Sequence, residues 1–312
     1  MPWDPTAVPP ERPPLGDLLL LGVAVVAVST SAPLIRGAEA PTLAIAAWRN
    51  LLSLPLLGLF VLLRRDLRRS WRERSERDRR LSLASGALLA AHFATWIPSL
   101  SYTSVASSVA LVATQPVWAA LIARRRGQHV GGQTWIGIGL ALAGTVVLTG
   151  VDLSISRRAV FGDLLAVVGG MLAAGYVTVG AEVRQRVTTA VYALACYATA
   201  AVLLLALCLG SGQAMTGFDR DTWLAIGGLV VGAQLLGHTL VNFVLRTISP
   251  TAVSVAILFE ILGATIIARL AFGETPPAGA WPAAVLIAAG VVVVIRSGDD
   301  ASELVEPGGM LT

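Results

Sequence analysis

The stretch GALLAAH at residues 86–92 returns as GAQLLGH at residues 232–238, so Gly86, Ala87 and His92 fall on Gly232, Ala233 and His238. The same offset of 146 residues recurs outward in both directions. GDLL stands at 16–19 and again at 162–165, Trp135 falls on Trp281, and Gly144 falls on Gly290. Between these blocks an offset of 145 fits better and pairs Ser104 with Ser249 and Gln115 with Glu260. One such match would be noise among apolar residues. Four blocks in one order mark a duplication.

Each copy avoids water. The 312 residues are 55% hydrophobic and 13% charged, with a mean hydropathy of +0.74. A soluble domain carries about 25% charged residues, so this chain could not cover a surface of its size in water. Apolar stretches of spanning length fall at 17–35, 42–63, 81–100, 105–123, 132–150, 162–181, 188–209, 222–244, 250–270 and 279–296. Spans of about 20 residues are what a bilayer core requires of a helix. The first is read as an uncleaved helix, because MPWDPTAVPPERPP lacks the basic start of a secretory signal.

All 23 basic residues are Arg, a bias that suggests a GC-rich bacterial genome. Nine of them stand against four acids in RRDLRRSWRERSERDRR, residues 64–80, which reads as a solvated cytoplasmic loop. With an inside N-terminus, 17 arginines fall on the cytoplasmic side and 5 outside, leaving Arg49 within a span. That asymmetry sets both termini in the cytoplasm and supports the count of ten. It also explains a pI of 9.7 without a nucleic-acid partner. Five spans per copy is an odd number, so the second copy enters the membrane upside down. The expected fold is all-α and integral to the membrane: ten transmembrane helices in two inverted five-helix repeats, 16–150 and 162–296. A Pro-rich tail covers 1–15 and a C-terminal tail 297–312. Secondary transporters build central sites between such halves.

With that architecture in place, the chain resembles the drug/metabolite transporter superfamily and its ten-helix EamA-type permeases. The resemblance rests on AWRNLL at 47–52, HFATW at 92–96 and SYTSVASSVALVATQPVWAALIARRR at 101–126. Second-repeat segments add GHTLVNFVLRTISPTAVSVAILFE at 237–260 and FGETP at 272–276. It implies a transporter of small organic metabolites, amino acids or drugs, in a cell membrane, with export as the family tendency. Two departures stand out: Glu260 is followed by Ile261 where the family commonly has Pro, and Gln128-His129 replaces the Gly-Glu that Gly273-Glu274 keeps.

The residues that could carry chemistry are the ionisable and polar groups inside the apolar runs. A charged group at a span centre costs about 2.5–3.5 kcal/mol on insertion scales, so it tends to face a cavity or a partner. Glu260 lies mid-span and reads as a proton or cationic-solute site, or as a neutral acid held by hydrogen bonds. His92 and His238 are repeat-equivalent and could relay protons or touch solute. Gln234, His238 and Asn242 recur every four residues and form one polar stripe, with His92 and Trp96 as a shorter counterpart. Arg49 either meets a solute carboxylate or anchors neighbouring spans, with Asn50 and Ser53 beside it.

Ser29, Thr30, Ser31 and Pro33 interrupt the first span, and Gln115-Pro116 interrupts the fourth, as a plain kink or as a site. Tyr176, like Trp96, could offer an aromatic face to a solute. Asp17 and Asp163 read as helix N-caps. Gly228/Gly232 and the Gly137/Ala141 pair mark close packing within a monomer or a homodimer.

Cys196 and Cys208, about 18 Å apart on one helix, read as packing residues, and neither a metal site nor a bound cofactor is expected. No HExxH, GxSxG or Walker A pattern occurs, which argues against an intramembrane enzyme. The leading reading is a secondary transporter that exports a small amino-acid-like or drug-like solute by alternating access, with proton coupling or facilitated exchange both open. An intramembrane enzyme, a lipid-carrier flippase and a non-transporting scaffold are the alternatives.

Overall fold

In a computed structural model of the chain, which describes residues 13–103, 108, 111–149, 157–272 and 279–297, every regular element is helical. The first repeat holds α1 (Leu15–Ser29), α2 (Ser31–Arg36), α3 (Thr42–Leu63), α4 (Arg65–Glu73), α5 (Glu76–Ser99), α6 (Gln115–Arg125) and α7 (Gly132–Thr149). The second holds α8 (Arg157–Arg184), α9 (Thr189–Gly210), α10 (Arg220–Leu229), a π-helical segment (Val230–His238), α11 (Thr239–Val244), α12 (Pro250–Ile257), α13 (Phe259–Phe272) and α14 (Ala280–Arg296). Among the described residues, six continuous stretches are long and apolar enough to cross a membrane: Leu15–Arg36, Thr42–Leu63, Glu76–Ser99, Arg157–Arg184, Thr189–Gly210 and Arg220–Val244. Outward faces carry exposed Leu59, Leu164, Val202 and Val285, the surface a bilayer would cover. Readings that touch the tails, 104–107, the 150–156 connection and Gly273-Glu274 lie outside the described residues.

Packing follows the duplication. The first helix of each repeat lies on the third of the other, α1 on the π segment and α8 on α5. The second helices, α3 and α9, pack together, as do the last, α7 and α14. At the α7–α14 seam the small residues let backbones touch: a Cβ on Gly290 would lie 2.5 Å from the Gly137 carbonyl oxygen. Helices α1 and α8 run in opposite directions. Asp17 in the first turn of α1 and Gln185 just past the end of α8 both bond to the turn at 245–248.

Three expectations change. The segment 64–80 is helical rather than a loop: Leu67 is buried, Arg69–Glu73 and Arg80–Glu76 pair at one-turn spacing, and Ser75 caps α5 by accepting from the Asp78 amide. Charge density hid that pattern. Asp17 and Asp163 are not N-caps. Pro14 occupies the cap of α1, and Asp163 lies well inside α8, so both carboxylates are spent on tertiary bonds. Finally, the helix read over 222–244 is continuous but winds as a π helix over Val230–His238, which resets its face.

The breaks have local causes. Ser29 and Thr30 turn their hydroxyls back onto the Val25 and Ala27 carbonyls, and Pro33 has no N–H to continue the ladder. A second break at Leu258 separates α12 from α13, two residues before Glu260.

Candidate functional site

These breaks surround a cavity of about 110 Å³ between the repeats. Arg49, His92, Trp96, Gln115, Tyr176, His238 and Glu260 all line it. Val28, Phe93, Val177, Val241 and Ile257 make the remaining wall largely apolar. An apolar cavity with a few convergent polar groups is the usual form of a small-molecule site.

Arg49 of α3 is completely buried. Its Nε donates to Gln234 Oε1 at 2.9 Å and its Nη1 to Ser31 Oγ at 3.4 Å. The guanidinium carbon lies 4.4 Å from the centre of the Phe93 ring, a cation–π contact that partly replaces water. Behind it, Gln234 Nε2 donates to Asn50 Oδ1 at 3.0 Å, and Asn50 Nδ2 donates to the Ala46 carbonyl at 2.8 Å. Gln234 is therefore buried behind the arginine rather than lining the cavity. Because its amide is neutral, it orients Arg49 without cancelling the charge.

The two histidines differ. His92 Nδ1 bonds the Gly169 carbonyl at 2.9 Å; since a carbonyl can only accept, this nitrogen carries the hydrogen and Nε2 is left as the acceptor. Its ring stacks on Trp96 at 5.7 Å and 5°. His238 makes only edge contacts, to Phe93 at 5.6 Å and Tyr176 at 6.1 Å, and no hydrogen bond among the described residues. Tyr176 donates to Asn242 Oδ1 at 2.8 Å, so Asn242 too stands behind the wall. The polar stripe of the sequence thus resolves into one cavity residue, His238, and two supports.

Gln115 Nε2 donates to Ser254 Oγ at 2.9 Å, joining the repeats across the cavity. Glu260, its repeat counterpart, has neither hydrogen bond nor ion pair among the described residues. Arg49 and Glu260 line the same cavity, yet no ion pair joins them. Buried Arg49 Nη2, Trp96 Nε1 and Asn242 Nδ2 also find no acceptor among the described residues. Unsatisfied buried donors are costly and uncommon.

Sequence reasoning missed Phe93, Ser254 and Tyr197. Phe93 was visible inside HFATW, but nothing in its apolar setting tells a ring beneath a guanidinium from one in lipid. Tyr197 Oη lies 3.2 Å from Thr239 Oγ1, beside the π segment. Arg184, counted among the loop arginines, is buried and donates to the Asn242 and Val187 carbonyls.

Comparison with known proteins agrees with this architecture. The family model for the EamA-like transporter family matches twice, over residues 14–150 and 160–296. An uncharacterized transporter of Archaeoglobus fulgidus is 26% identical over 239 residues, 74% of this chain and 80% of that protein. A solved crystal structure superposes with a TM-score of 0.73 at 21% identity, covering 89% of this chain and 96% of the other, and so shares the fold. Two matches that together span nearly the whole sequence, on a helical membrane fold, establish that the chain belongs to the EamA-like transporter family, within the drug/metabolite transporter superfamily.

Proposed function

We propose that this membrane transporter binds a small amphipathic solute in the central cavity and exports it by alternating access. In this reading the chain forms ten spans, in repeats 16–150 and 162–296, with both termini cytoplasmic. One observation carries it: Arg49 and Glu260, of opposite charge, line one apolar cavity without pairing with each other. A buried charge needs compensation. A solute supplying an acceptor or carboxylate to Arg49 and a cationic or protonated end to Glu260 would provide it, which fits an amino-acid-like or drug-like compound. Phe93, Trp96 and Tyr176 would hold its apolar body.

Proton coupling would run through Glu260 and His238, the two cavity groups with a titratable atom and no hydrogen bond. His92 would contribute its Nε2. The test is efflux from proteoliposomes over a panel of zwitterionic, cationic and anionic solutes, with and without an imposed pH gradient. Gradient-driven efflux of a zwitterionic or amphipathic solute is expected, and Glu260→Gln should remove the pH dependence while solute exchange persists at lower affinity. Efflux of nothing in the panel would overturn the transport site. Gradient dependence that persists in Glu260→Gln would overturn the coupling.

A further inference from the structure

The two GDLL aspartates are used alike at opposite ends of the molecule. Asp163 in α8 accepts from Thr103 Oγ1 at 2.7 Å, and Asp17 in α1 accepts from Thr247 Oγ1 at 2.5 Å. Thr103 sits in the turn after α5, and Thr247 in the turn between α11 and α12. Each bond therefore ties the first helix of one repeat to the turn after the third helix of the other. Because α1 and α8 run in opposite directions, the two bonds lie at opposite ends. All four residues are half-buried, where a hydrogen bond to a carboxylate is shielded from water.

The turns they hold are the tips of helices whose regular winding is interrupted. The tip at Thr247 is bounded by the π segment on one side and the Leu258 break on the other, and its Val241, Ser254 and Ile257 line the cavity. The tip at Thr103 is followed, beyond the undescribed 104–107 stretch, by the turn at Ala113-Thr114 that precedes α6. Breaks of this kind are where a helix gives way without losing the rest of its ladder.

We propose that Asp17–Thr247 and Asp163–Thr103 are the paired latches of the transport cycle, each closing the cavity at its own end and each released in turn. This rests on the alternating-access reading above and adds the residues that would time it. Other contacts share the load at each end. At the Asp17 end, Arg186 pairs with Asp78 at 2.8 Å, and Arg77 with Glu182 at 2.6 Å. At the Asp163 end, Arg158 donates to the Ser101 carbonyl at 2.9 Å, and Tyr102 packs on Phe161. The aspartate latches stand at equivalent positions on the first helices of the two repeats, which is what a symmetric two-gate device requires.

The experiment uses the full chain carrying Cys196→Ala and Cys208→Ala, with Ala113→Cys in the cavity wall as reporter. Labelling by a membrane-impermeant maleimide is timed in vesicles of both orientations. Arg72→Cys in a separate sample marks the side that bears α4. Thr247→Val should raise reporter labelling from the Asp17 end about tenfold, the scale of one lost hydrogen bond to a charged group, with no rise from the other end. Thr103→Val should do the reverse, and Thr→Ser at either position should behave as the parent. If Thr247→Val does not fold, Asp17→Asn, which keeps the shape but weakens the bond, should shift labelling the same way by a smaller factor.

Labelling that rises equally from both ends, or at neither, overturns the latches. End-specific labelling in a protein that moves no solute overturns the transport reading and leaves the latches standing. Transport with unaltered labelling overturns the latches alone.

Discussion

The two repeats offer equivalent positions and treat them differently. In the first, His92 is bonded to the Gly169 carbonyl and stacked on Trp96, and Gln115 is bonded to Ser254. In the second, His238 has only ring edges around it, and Glu260 has no bonded partner among the described residues. The ends differ too. A Cβ on Gly162 would lie 2.7 Å from the Thr103 amide nitrogen, whereas one on Gly16 would meet nothing within 4 Å. Duplication supplies a symmetric frame, and divergence within these two pairs leaves the first-repeat member tied and the second-repeat member available. The residues without partners are where a solute or a proton has something to gain by binding.

The largest expected effect comes from the residue that stands against both sets. Arg49→Met should lower apparent solute affinity in proteoliposomes by about a hundredfold, the scale of truncating one partner of a buried hydrogen-bonded charge. Gln234→Ala, which frees the guanidinium but keeps its charge, should cost less. Equal losses would mean that Arg49 acts through packing alone.

Next is the pair of ends. Gly162→Ala forces a methyl into the Thr103 backbone and should lower stability in detergent by about 2 kcal/mol. Gly16→Ala should stay within about 0.5 kcal/mol. Similar shifts in thermal unfolding would erase the contrast.

Glu260→Gln against Gln115→Ala comes third. The former should flatten the pH dependence of efflux by about tenfold at its steepest, roughly one pH unit's worth of proton linkage, and the latter should leave that dependence in place.

The smallest effect separates the histidines. His92→Ala should cost about 1 kcal/mol of stability through its lost carbonyl bond. His238→Ala should unfold near the parent temperature, with its effect confined to transport. A larger stability loss at His238 would show that the ring contacts, not the missing hydrogen bonds, define the site.

Much of the frame was legible before any coordinates. Apolar runs at 42–63 and 279–296 reappear as α3 and α14 within a residue or so, because in a bilayer the backbone must satisfy itself and hydropathy alone selects the helix. The repeat was legible through His92 and His238, and both line the cavity. What could not be read was direction within a helix. Gln234, His238 and Asn242 share one stripe only if the helix is regular, and the π segment removes that condition. Asp17 and Asp163 had the residue type and position of caps; their threonine partners lie 230 and 60 residues away in sequence. The helix in 64–80 was masked by nine arginines, whose charge says where a segment lies but not how it folds.

The sequence by itself determined that the chain is a duplicated membrane protein, which residues inside it are ionisable, and which of them are equivalent. Those are properties of composition and order, and the bilayer and the repeat translate them directly. Only the tertiary structure decided which polar groups are satisfied. Whether Arg49 meets Gln234 or Glu260 depends on a few ångströms between helices from different repeats. The energy of a buried polar group turns on whether a partner lies within about 3 Å, a distance that no pattern along one strand of sequence contains.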